Sequence, residues 1–141
     1  MIIDNLNRTK ALIISSGLIK SYRIQAERVE EEEGYIRVKT ELTNGDGLDL
    51  FEYYILDEGK VKLDKYSFHW QDGKRDLVRR WDNAPHHPAV RNFPHHVHFG
   101  KQEIRSGREM STEKVLELIA KEIEDRGIRG IPLSIPKEKL A

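Results

Sequence analysis

Histidines are the residues of this chain most clearly suited to chemistry. All six lie between His69 and His98, and no other position carries one. Imidazoles ligate transition metals when neutral, and they act as general acids and bases because they titrate at about pH 6.5. This concentration predicts a functional site in that segment. The competing interpretation is a polar loop whose imidazoles hydrogen-bond backbone groups and fix its shape.

Two of these histidines are separated by one residue in the run Pro94-His95-His96-Val97-His98. Residues i and i+2 of an extended strand share a face, so His96 and His98 can present two imidazoles to the same point. Such a pair could ligate a divalent metal or act as a general acid–base pair on a phosphodiester. It also resembles the His-hydrophobic-His pair of nickase-type nucleases. Those enzymes need a nucleophilic tyrosine as well, and the candidates are Tyr53, Tyr54 and Tyr66.

A metal site would need ligands beyond His96 and His98. Asp82 is the carboxylate within the motif, His86 and His87 could contribute imidazoles, and Glu103 is more distant. Metal sites of this kind usually include a carboxylate, and acids are scarce here, which favours chemistry without a metal. We therefore expect no cofactor, and the alternative is a divalent ion held by His96, His98 and Asp82.

A predicted hairpin places a second set of polar residues near the histidines. If Asp72-Gly73 is a two-residue turn, His69 lies opposite Asp76, and Arg80 lies opposite Lys65. The period of two then puts three aromatic residues on the opposite face, and these are Tyr66, Phe68 and Trp70. Three aromatics favour that face as the buried one, so His69 and Arg80 are expected to point away from the core.

The elements that must position these residues are mainly strands. Turn signals recur at Glu33-Gly34, Asn44 to Gly47, Glu58-Gly59 and Asp72-Gly73, between segments rich in Val, Ile, Tyr, Phe and Thr. The predicted strands are 19–30, 35–42, 48–56, 60–71 and 74–81, with a short extended piece at 95–99. Such short connections require antiparallel neighbours, so this part of the chain is expected to form a β-meander.

Helical patterns flank the meander. Residues 5–19 have apolar spacing that suits a short helix, although Ser15-Ser16-Gly17 weakens it. Ser111 or Thr112 can cap a second helix that runs to about Arg126 and is ended by Gly127. The prediction is an α+β domain over residues 1–141, in which five or six antiparallel strands are packed by these two helices. The apolar tail from Gly127 is expected to pack on the body of the protein or on a partner.

A long connection lies between the meander and the His-x-His pair. Residues 82–94 contain Pro85, Pro88 and Pro94 and show no sustained periodicity. A loop of this length in a compact domain is more often functional than a mere connector.

Composition excludes several classes of protein. The chain has no cysteine, which removes disulfides, thiolate zinc sites and cysteine nucleophiles. Its 24 Lys and Arg balance 24 Asp and Glu, so any surface that attracts nucleic acid must be local. No apolar run is long enough for a membrane helix, and the N-terminus lacks the pattern of a signal peptide, so we expect a cytoplasmic protein without a membrane partner.

Three stretches resemble the TumE family of toxin–antitoxin toxins. They are Lys65-Tyr66-Ser67-Phe68-His69-Trp70-Gln71, then Arg80-Trp81-Asp82-Asn83-Ala84-Pro85-His86-His87-Pro88, then Phe93-Pro94-His95-His96-Val97-His98. The resemblance runs in order from about Leu48 to His98. It implies a toxin that is neutralised by a helix-turn-helix antitoxin and that acts on RNA. The resemblance implies functional roles for the positions that match these motifs, which are His69, Arg80, Asp82, Asn83, His86, His87, His95, His96 and His98.

A fold-level analogy with small endoribonucleases of the barnase and RelE kind supplies a mechanism. His96 would take the proton from a ribose 2′-OH, His98 or His86 would protonate the leaving 5′-oxygen, and Arg80 would hold the phosphate. The expected catalytic set is completed by His87, His69 and Asp82. The expected substrate-binding residues are Arg79, Trp70, Trp81, Asn83 and His95, with the tryptophans stacking a base.

Three hypotheses remain open at this point. The first is a toxin that cleaves RNA through the His/Arg cluster without a metal. The second is a metal-dependent nuclease or phosphoesterase, and the third is a non-enzymatic protein whose loop binds a partner. An apolar tail and an exposed sheet edge also make a homodimer possible.

Overall fold

One antiparallel sheet and two helices form the computed structural model, which describes residues 1–128. The elements in chain order are α1 (Ile2–Ser15), β1 (Ile19–Val29), β2 (Glu33–Leu42), β3 (Gly47–Asp57), β4 (Lys60–Gln71), β5 (Leu77–Asp82), β6 (His96–Phe99), β7 (Glu103–Ser106) and α2 (Thr112–Ile128). The strands lie side by side in sequence order as a seven-stranded meander. This confirms the predicted α+β class, with slightly more strands than expected.

The two faces of the sheet differ in composition because side chains alternate along each strand. One face is apolar: Ile36 and Val38 of β2, Leu50 of β3, and Phe68 and Trp70 of β4 are 0–2 % exposed. We call this the core face, since α1 and α2 pack against it. The other side carries the alternate residues of the same strands, and we call it the open face.

α1 forms because its apolar residues recur at helical spacing. Ile2, Leu6 and Ile13 are buried on one side of the helix, together with Thr9. The helix begins earlier than the sequence pattern indicates. It also ends earlier than residue 19, at Ser15, where the run Ser15-Ser16-Gly17 weakens the helical pattern.

α2 begins where the sequence predicts. The Ser111 hydroxyl accepts a hydrogen bond from the backbone N–H of Lys114 at 3.3 Å, as a helix cap does. Val115, Leu116 and Ile119 are buried against the core face. The expectation that Gly127 ends the helix is wrong, because the helix continues to Ile128. The rest of the predicted apolar tail lies outside the described residues.

The predicted two-residue turn at Asp72-Gly73 is also wrong. Five residues, 72–76, connect β4 to β5. The Asp72 carboxylate accepts backbone N–H groups of Lys74 and Asp76, at 2.8 and 3.0 Å, and Arg75 adopts a φ of 68°. The longer turn shifts the register, so His69 pairs with Arg80 and not with Asp76. Both residues remain on the open face, as predicted.

β7 is absent from the sequence prediction. All four of its residues are exposed, and the strand is held at the sheet edge by pairing with β6. Charged edge strands of this kind carry little apolar alternation, so the sequence pattern does not reveal them. Because β7 pairs with β6 on the side away from β5, β6 lies inside the sheet and not at its edge.

A buried carboxylate joins the two helices to the sheet. Glu52 of β3 is 2 % exposed and accepts hydrogen bonds from Thr9 of α1 at 2.6 Å and Thr112 of α2 at 3.0 Å. The Tyr54 hydroxyl donates a third bond at 2.9 Å. Three hydroxyl donors compensate for the loss of hydration of the carboxylate.

Candidate active site on the open face

The sheet register brings polar residues from three strands into two adjacent rows of the open face. In one row, His69 of β4 pairs with Arg80 of β5, which pairs with His98 of β6. In the next row, Ser67 pairs with Asp82, and Asp82 pairs with His96. Paired residues in neighbouring strands lie about 5 Å apart. Residues separated by up to 31 positions therefore meet in one place.

Asp82 lies at the centre of these contacts. Asp82 is 5 % exposed, and its Oδ1 is 2.9 Å from His96 Nε2. Its Oδ2 accepts a hydrogen bond from Arg80 Nε at 2.9 Å and lies 3.6 Å from His98 Nε2. The backbone N–H of Ala84 also donates to Oδ1, at 3.0 Å. We call Ser67, His69, Arg80, Asp82, His87, His96 and His98 the Asp82 cluster.

His96 is the most buried histidine of the cluster, at 3 % exposed. Its Nδ1 lies 2.9 Å from the carbonyl oxygen of Pro94. A carbonyl can only accept, so Nδ1 carries the proton of this bond. In a neutral ring, the lone pair of Nε2 would then face the carboxylate oxygen of Asp82. This contact needs a proton between the two atoms, on Nε2 or on the carboxyl group, or a metal ion held by both groups.

His87 joins the cluster from the loop between β5 and β6. Its ring centroid lies 4.9 Å from that of His96 and 5.6 Å from that of His98. One nitrogen from each of the three rings lies within 4.8 Å of the other two. Three imidazoles at this separation could bind a divalent ion after small side-chain movements. The loop contributes His87 to this set. The sequence analysis did not distinguish His86 from His87 as a possible metal ligand.

Arg80 extends from the buried carboxylate toward the surface. Its side chain is 37 % exposed, and its two terminal nitrogens lie 3.3 Å from His69 Nδ1 and 3.3 Å from Ser67 Oγ. A guanidinium only donates, so His69 Nδ1 is the acceptor and His69 is neutral in this contact. Burial, and then the Arg80 charge, lower the pKa of His69 from 6.5, although Asp49 partly opposes them.

His98 is the more accessible histidine of the His-x-His pair, with its side chain 20 % exposed. Burial lowers its pKa from 6.5. Asp82 opposes that effect, whereas His96, His87 and Arg80 add to it. The ring is therefore neutral around pH 7, which is the form that accepts a proton.

A groove on the open face leads to the cluster. It has a volume of about 570 Å³, and Ser67, His69, Arg80 and Asp82 line one end. Arg37, Phe51 and Lys65 line the other side of the same groove. None of these three residues, nor Ser67, was among the site residues expected from sequence. Ser67 and Lys65 could have been found because they alternate with His69 on one face of the same strand, but Arg37 and Phe51 depend on strand pairing.

The two tryptophans are not available to stack a base. Trp70 and Trp81 are 0 % and 3 % exposed on the core face, and their rings stack on each other with centroids 6.5 Å apart. Arg79 also lies on that face, where Glu122 of α2 binds its guanidinium and the Phe99 ring lies 4.5 Å away. Burial of the two tryptophans leaves no free ring face for a base. Arg79 is only partly buried, with its side chain 18 % exposed, but its guanidinium is already held by Glu122. The structure therefore does not favour the substrate-binding roles expected for these residues.

Asn83 and His95 lie next to the cluster and make structural contacts. The Asn83 amide accepts from the backbone N–H of Tyr66 at 3.0 Å and donates to the Asp64 carbonyl at 3.0 Å, which ties the loop to β4. His95 stacks on Tyr66 and its Nδ1 lies 2.8 Å from the tyrosine hydroxyl. His86 is exposed, and its backbone N–H donates to the Ala84 carbonyl.

The tyrosine needed by the nickase-type interpretation is not found beside the His-x-His pair. Tyr54 and Tyr66 are buried on the core face, and Tyr53 donates to Glu33. Within residues 1–128, no described contact joins any of the three hydroxyls to His96 or His98. Burial raises the pKa of both Tyr54 and Tyr66, which further disfavours their phenolates.

Comparison with known proteins gives one finding. A family model described as toxin TumE matches residues 9–127, a range that includes the whole Asp82 cluster. No curated protein and no solved structure matches the chain. Among the described helices, none is both long enough and apolar enough to cross a membrane. Because the family match covers most of the sequence, the chain belongs to the TumE family and is the toxin component of a toxin–antitoxin module.

Proposed function

We propose that this toxin is an endoribonuclease that cleaves RNA at the Asp82 cluster. The observation that carries the proposal is the contact of one buried carboxylate with a guanidinium and two imidazoles, beside a groove on the open face. Arg80 reaches the groove with donors that suit a phosphate, and its position is fixed by Asp82. An accessible imidazole lies beside it on β6, in the same row of the sheet.

In this mechanism His98 is the general base. The neutral His98 imidazole takes the proton of a ribose 2′-OH, and the 2′-oxygen attacks the adjacent phosphorus. Arg80 binds the phosphoryl oxygens and stabilises the charge that develops on them. His87 protonates the 5′-oxygen as the P–O5′ bond breaks. The products are a 2′,3′-cyclic phosphate and a free 5′-hydroxyl.

The sequence analysis expected His96 to be the general base, whereas this mechanism assigns that role to His98. His96 is almost fully buried, and both of its ring nitrogens already face polar partners. It acts instead as a positioning residue that fixes the orientation of Asp82. His86 and His95 have no role in this mechanism, since neither belongs to the cluster.

The test uses purified protein and a 5′-labelled RNA in buffer with EDTA. Wild type should cleave the RNA and leave a cyclic phosphate, and His98→Gln should lose at least about 100-fold in rate, as expected for loss of a general base. His86→Gln is the matched control, because it removes an exposed imidazole from the loop that precedes β6. Equal rates for His98→Gln and wild type would refute the assignment.

A metal-dependent nuclease is the second candidate, and a specific observation favours it. His87, His96 and His98 bring one nitrogen each within 4.8 Å of one another, and Asp82 Oδ1 lies 2.9 Å from His96 Nε2, so these four residues would hold a divalent ion. The sequence analysis offered His87 as a possible ligand together with His86, and only His87 belongs to this set. Such an ion would activate water for attack on the phosphate. Activity that is lost in EDTA, recovers with Zn²⁺ or Mn²⁺ and leaves no cyclic phosphate would establish this candidate in place of the first.

The remaining proposals concern the toxin's context. A toxin of this family implies an antitoxin, and we propose that it is a helix-turn-helix protein and that the toxin acts in the cytoplasm. A homodimer stays a prediction, which analytical ultracentrifugation would check. If the purified toxin neither cleaves RNA nor binds it, the non-enzymatic hypothesis of a partner-binding loop would take precedence.

A further inference from the structure

A second set of residues lies on the open face beyond the Asp82 cluster. Tyr35 of β2 pairs with Tyr53 of β3, and Tyr53 pairs with Lys65 of β4. In the next row, Arg37 pairs with Phe51, which pairs with Ser67 of the cluster. Strand pairing thus places three aromatic rings and two cations side by side. We call Tyr35, Arg37, Phe51, Tyr53 and Lys65 the platform.

The platform side chains contact one another through their rings. The Arg37 guanidinium carbon lies 4.3 Å from the centroid of the Phe51 ring, and Lys65 Nζ lies 5.2 Å from that of Tyr53. The Tyr35 and Phe51 centroids are 6.3 Å apart. All three rings are partly exposed, whereas the aromatic residues of the core face are buried.

The two cations of the platform have no ion pair among the residues that the structure describes. Within residues 1–128, neither Arg37 nor Lys65 forms an ion pair, although Lys39 on the same face pairs with Asp49 at 4.0 Å. Cations that have no carboxylate partner can contact phosphates without breaking an existing pair. Aromatic rings beside them offer stacking surfaces to bases, which is how proteins bind single-stranded nucleic acid.

The platform is continuous with the candidate active site. Arg37, Phe51 and Lys65 line the same groove as Ser67, His69 and Arg80. Phe51, Ser67 and Asp82 are successive partners across β3, β4 and β5, so Phe51 lies about 10 Å from Asp82. This is close enough for the nucleotides next to the cleaved bond.

We infer that the platform binds the single-stranded RNA that flanks the scissile phosphate. This inference rests on the proposed function, since it names the substrate path to the same site. A base stacks on the Phe51 ring, and Arg37 and Lys65 contact the adjacent phosphates. Duplex RNA does not fit, because its base faces are covered by neighbouring pairs and cannot reach the rings.

The experiment measures binding of a fluorescent single-stranded 2′-O-methyl oligonucleotide in EDTA. The probe lacks the attacking hydroxyl, and EDTA removes metal, so binding is read without cleavage. We expect Arg37→Gln/Lys65→Gln to bind roughly 10- to 30-fold more weakly than wild type near 0.1 M salt, with the slope of log K against log [salt] reduced by about 1.4. The matched control is Lys60→Gln/Lys121→Gln, which removes two exposed charges from the start of β4 and from α2.

A second variant isolates the stacking contribution. Phe51→Leu keeps an apolar side chain of similar reach but loses the aromatic face. We expect binding to weaken roughly 5-fold or more, with an unchanged salt slope, because no phosphate contact is removed. Circular dichroism and thermal unfolding confirm that each variant is folded before affinity is compared.

Several outcomes would overturn the inference. Equal losses for the platform variant and its control would show non-specific attraction to charge, and unchanged binding would show that RNA does not use this surface. A platform variant that binds the oligonucleotide normally but fails to bind the co-expressed antitoxin would assign the surface to that protein. Normal binding without cleavage of ordinary RNA would refute the proposed function and leave the platform intact.

Discussion

At the scale of single residues, the site depends on how Asp82 is surrounded. Its two carboxylate oxygens contact Arg80, His96 and the backbone of Ala84, with His98 slightly further away. Each of these groups is held in place by the same buried charge. The carboxylate therefore orients the groups that would contact substrate, in the way that buried acids orient catalytic imidazoles.

Replacing Asp82 should lower the rate of RNA cleavage strongly while the protein remains folded. Asp82→Asn keeps the shape of the side chain but removes the charge that holds Arg80 and His96. We expect RNA cleavage to fall by at least about 100-fold, and the free energy of unfolding to fall by about 1–3 kcal/mol. Urea unfolding and cleavage assays measure the two effects. The control is Asp57→Asn, where the lost partner is an exposed Lys62, and both effects should be small.

At the scale of elements, the site is built on strands that the helices hold in place from the opposite side. Glu52 connects α1, β3 and α2 through hydroxyl donors, and Glu122 connects α2 to β5 through Arg79. Arg79 and Arg80 are adjacent on β5 but point to opposite faces. One anchors a helix to the core face, and the other reaches the candidate active site.

Loss of the Glu52 carboxylate should destabilise the packing of both helices. Glu52→Leu leaves the hydroxyls of Thr9, Tyr54 and Thr112 without their shared acceptor. We expect a loss of at least about 2 kcal/mol in the free energy of unfolding, because each unsatisfied buried group is costly. Denaturant unfolding gives the value. Glu41→Leu, a change at an exposed strand position, should stay within about 0.5 kcal/mol of wild type, and a similar loss there would contradict this explanation.

The ion pair between Glu122 and Arg79 predicts how stability depends on pH. Burial would raise the pKa of Glu122, but the hydrogen bond and charge of Arg79, with help from Arg126, outweigh it and hold the pKa below 4.5. A lowered pKa in the folded state means that the pair contributes stability above pH 4.5 and loses it as the pH falls through the folded value. The stability difference between wild type and Glu122→Gln should therefore be constant near neutral pH and shrink below pH 4.5. Urea unfolding from pH 7 to pH 3 measures it, and a difference that persists at pH 3 would contradict this sign.

At the scale of the whole molecule, the balance of charge limits how RNA is attracted. Lys and Arg together number 24, and so do Asp and Glu, so no long-range field steers a polyanion to the protein. Attraction must come from local cations that lack acidic partners. Arg37 and Lys65 have no ion pair within residues 1–128, and both line the groove. Arg80 lines the same groove and is partly exposed, although its Nε is paired with Asp82.

This arrangement predicts a modest dependence of RNA binding on salt. Three phosphate contacts correspond to a slope of log K against log [salt] of about −2 for a single strand. Titrations of the 2′-O-methyl oligonucleotide between 0.05 and 0.3 M salt, roughly, give the slope. A much steeper slope would mean that RNA contacts many more cations than the groove contains.

The sequence alone determined which residues lie on which face and where chemistry is concentrated. The alternation of Tyr66, Phe68 and Trp70 predicted the core face of β4, and the same alternation placed His69 and Arg80 on the other side. The period of two is a local property of an extended chain, so it can be inferred without knowledge of neighbouring strands. The His-x-His pair on β6 follows from the same rule.

Only the tertiary structure decided which of these residues meet. The five-residue turn after β4 set His69 opposite Arg80, and the loop after β5 brought His87, not His86, to His96 and His98. Trp81 lies in the core because β5 pairs it with Phe68, and Phe51 reached the groove because β3 pairs with β4. Register and long-range contacts depend on turn geometry and on packing between distant segments. No local pattern in the sequence encodes them.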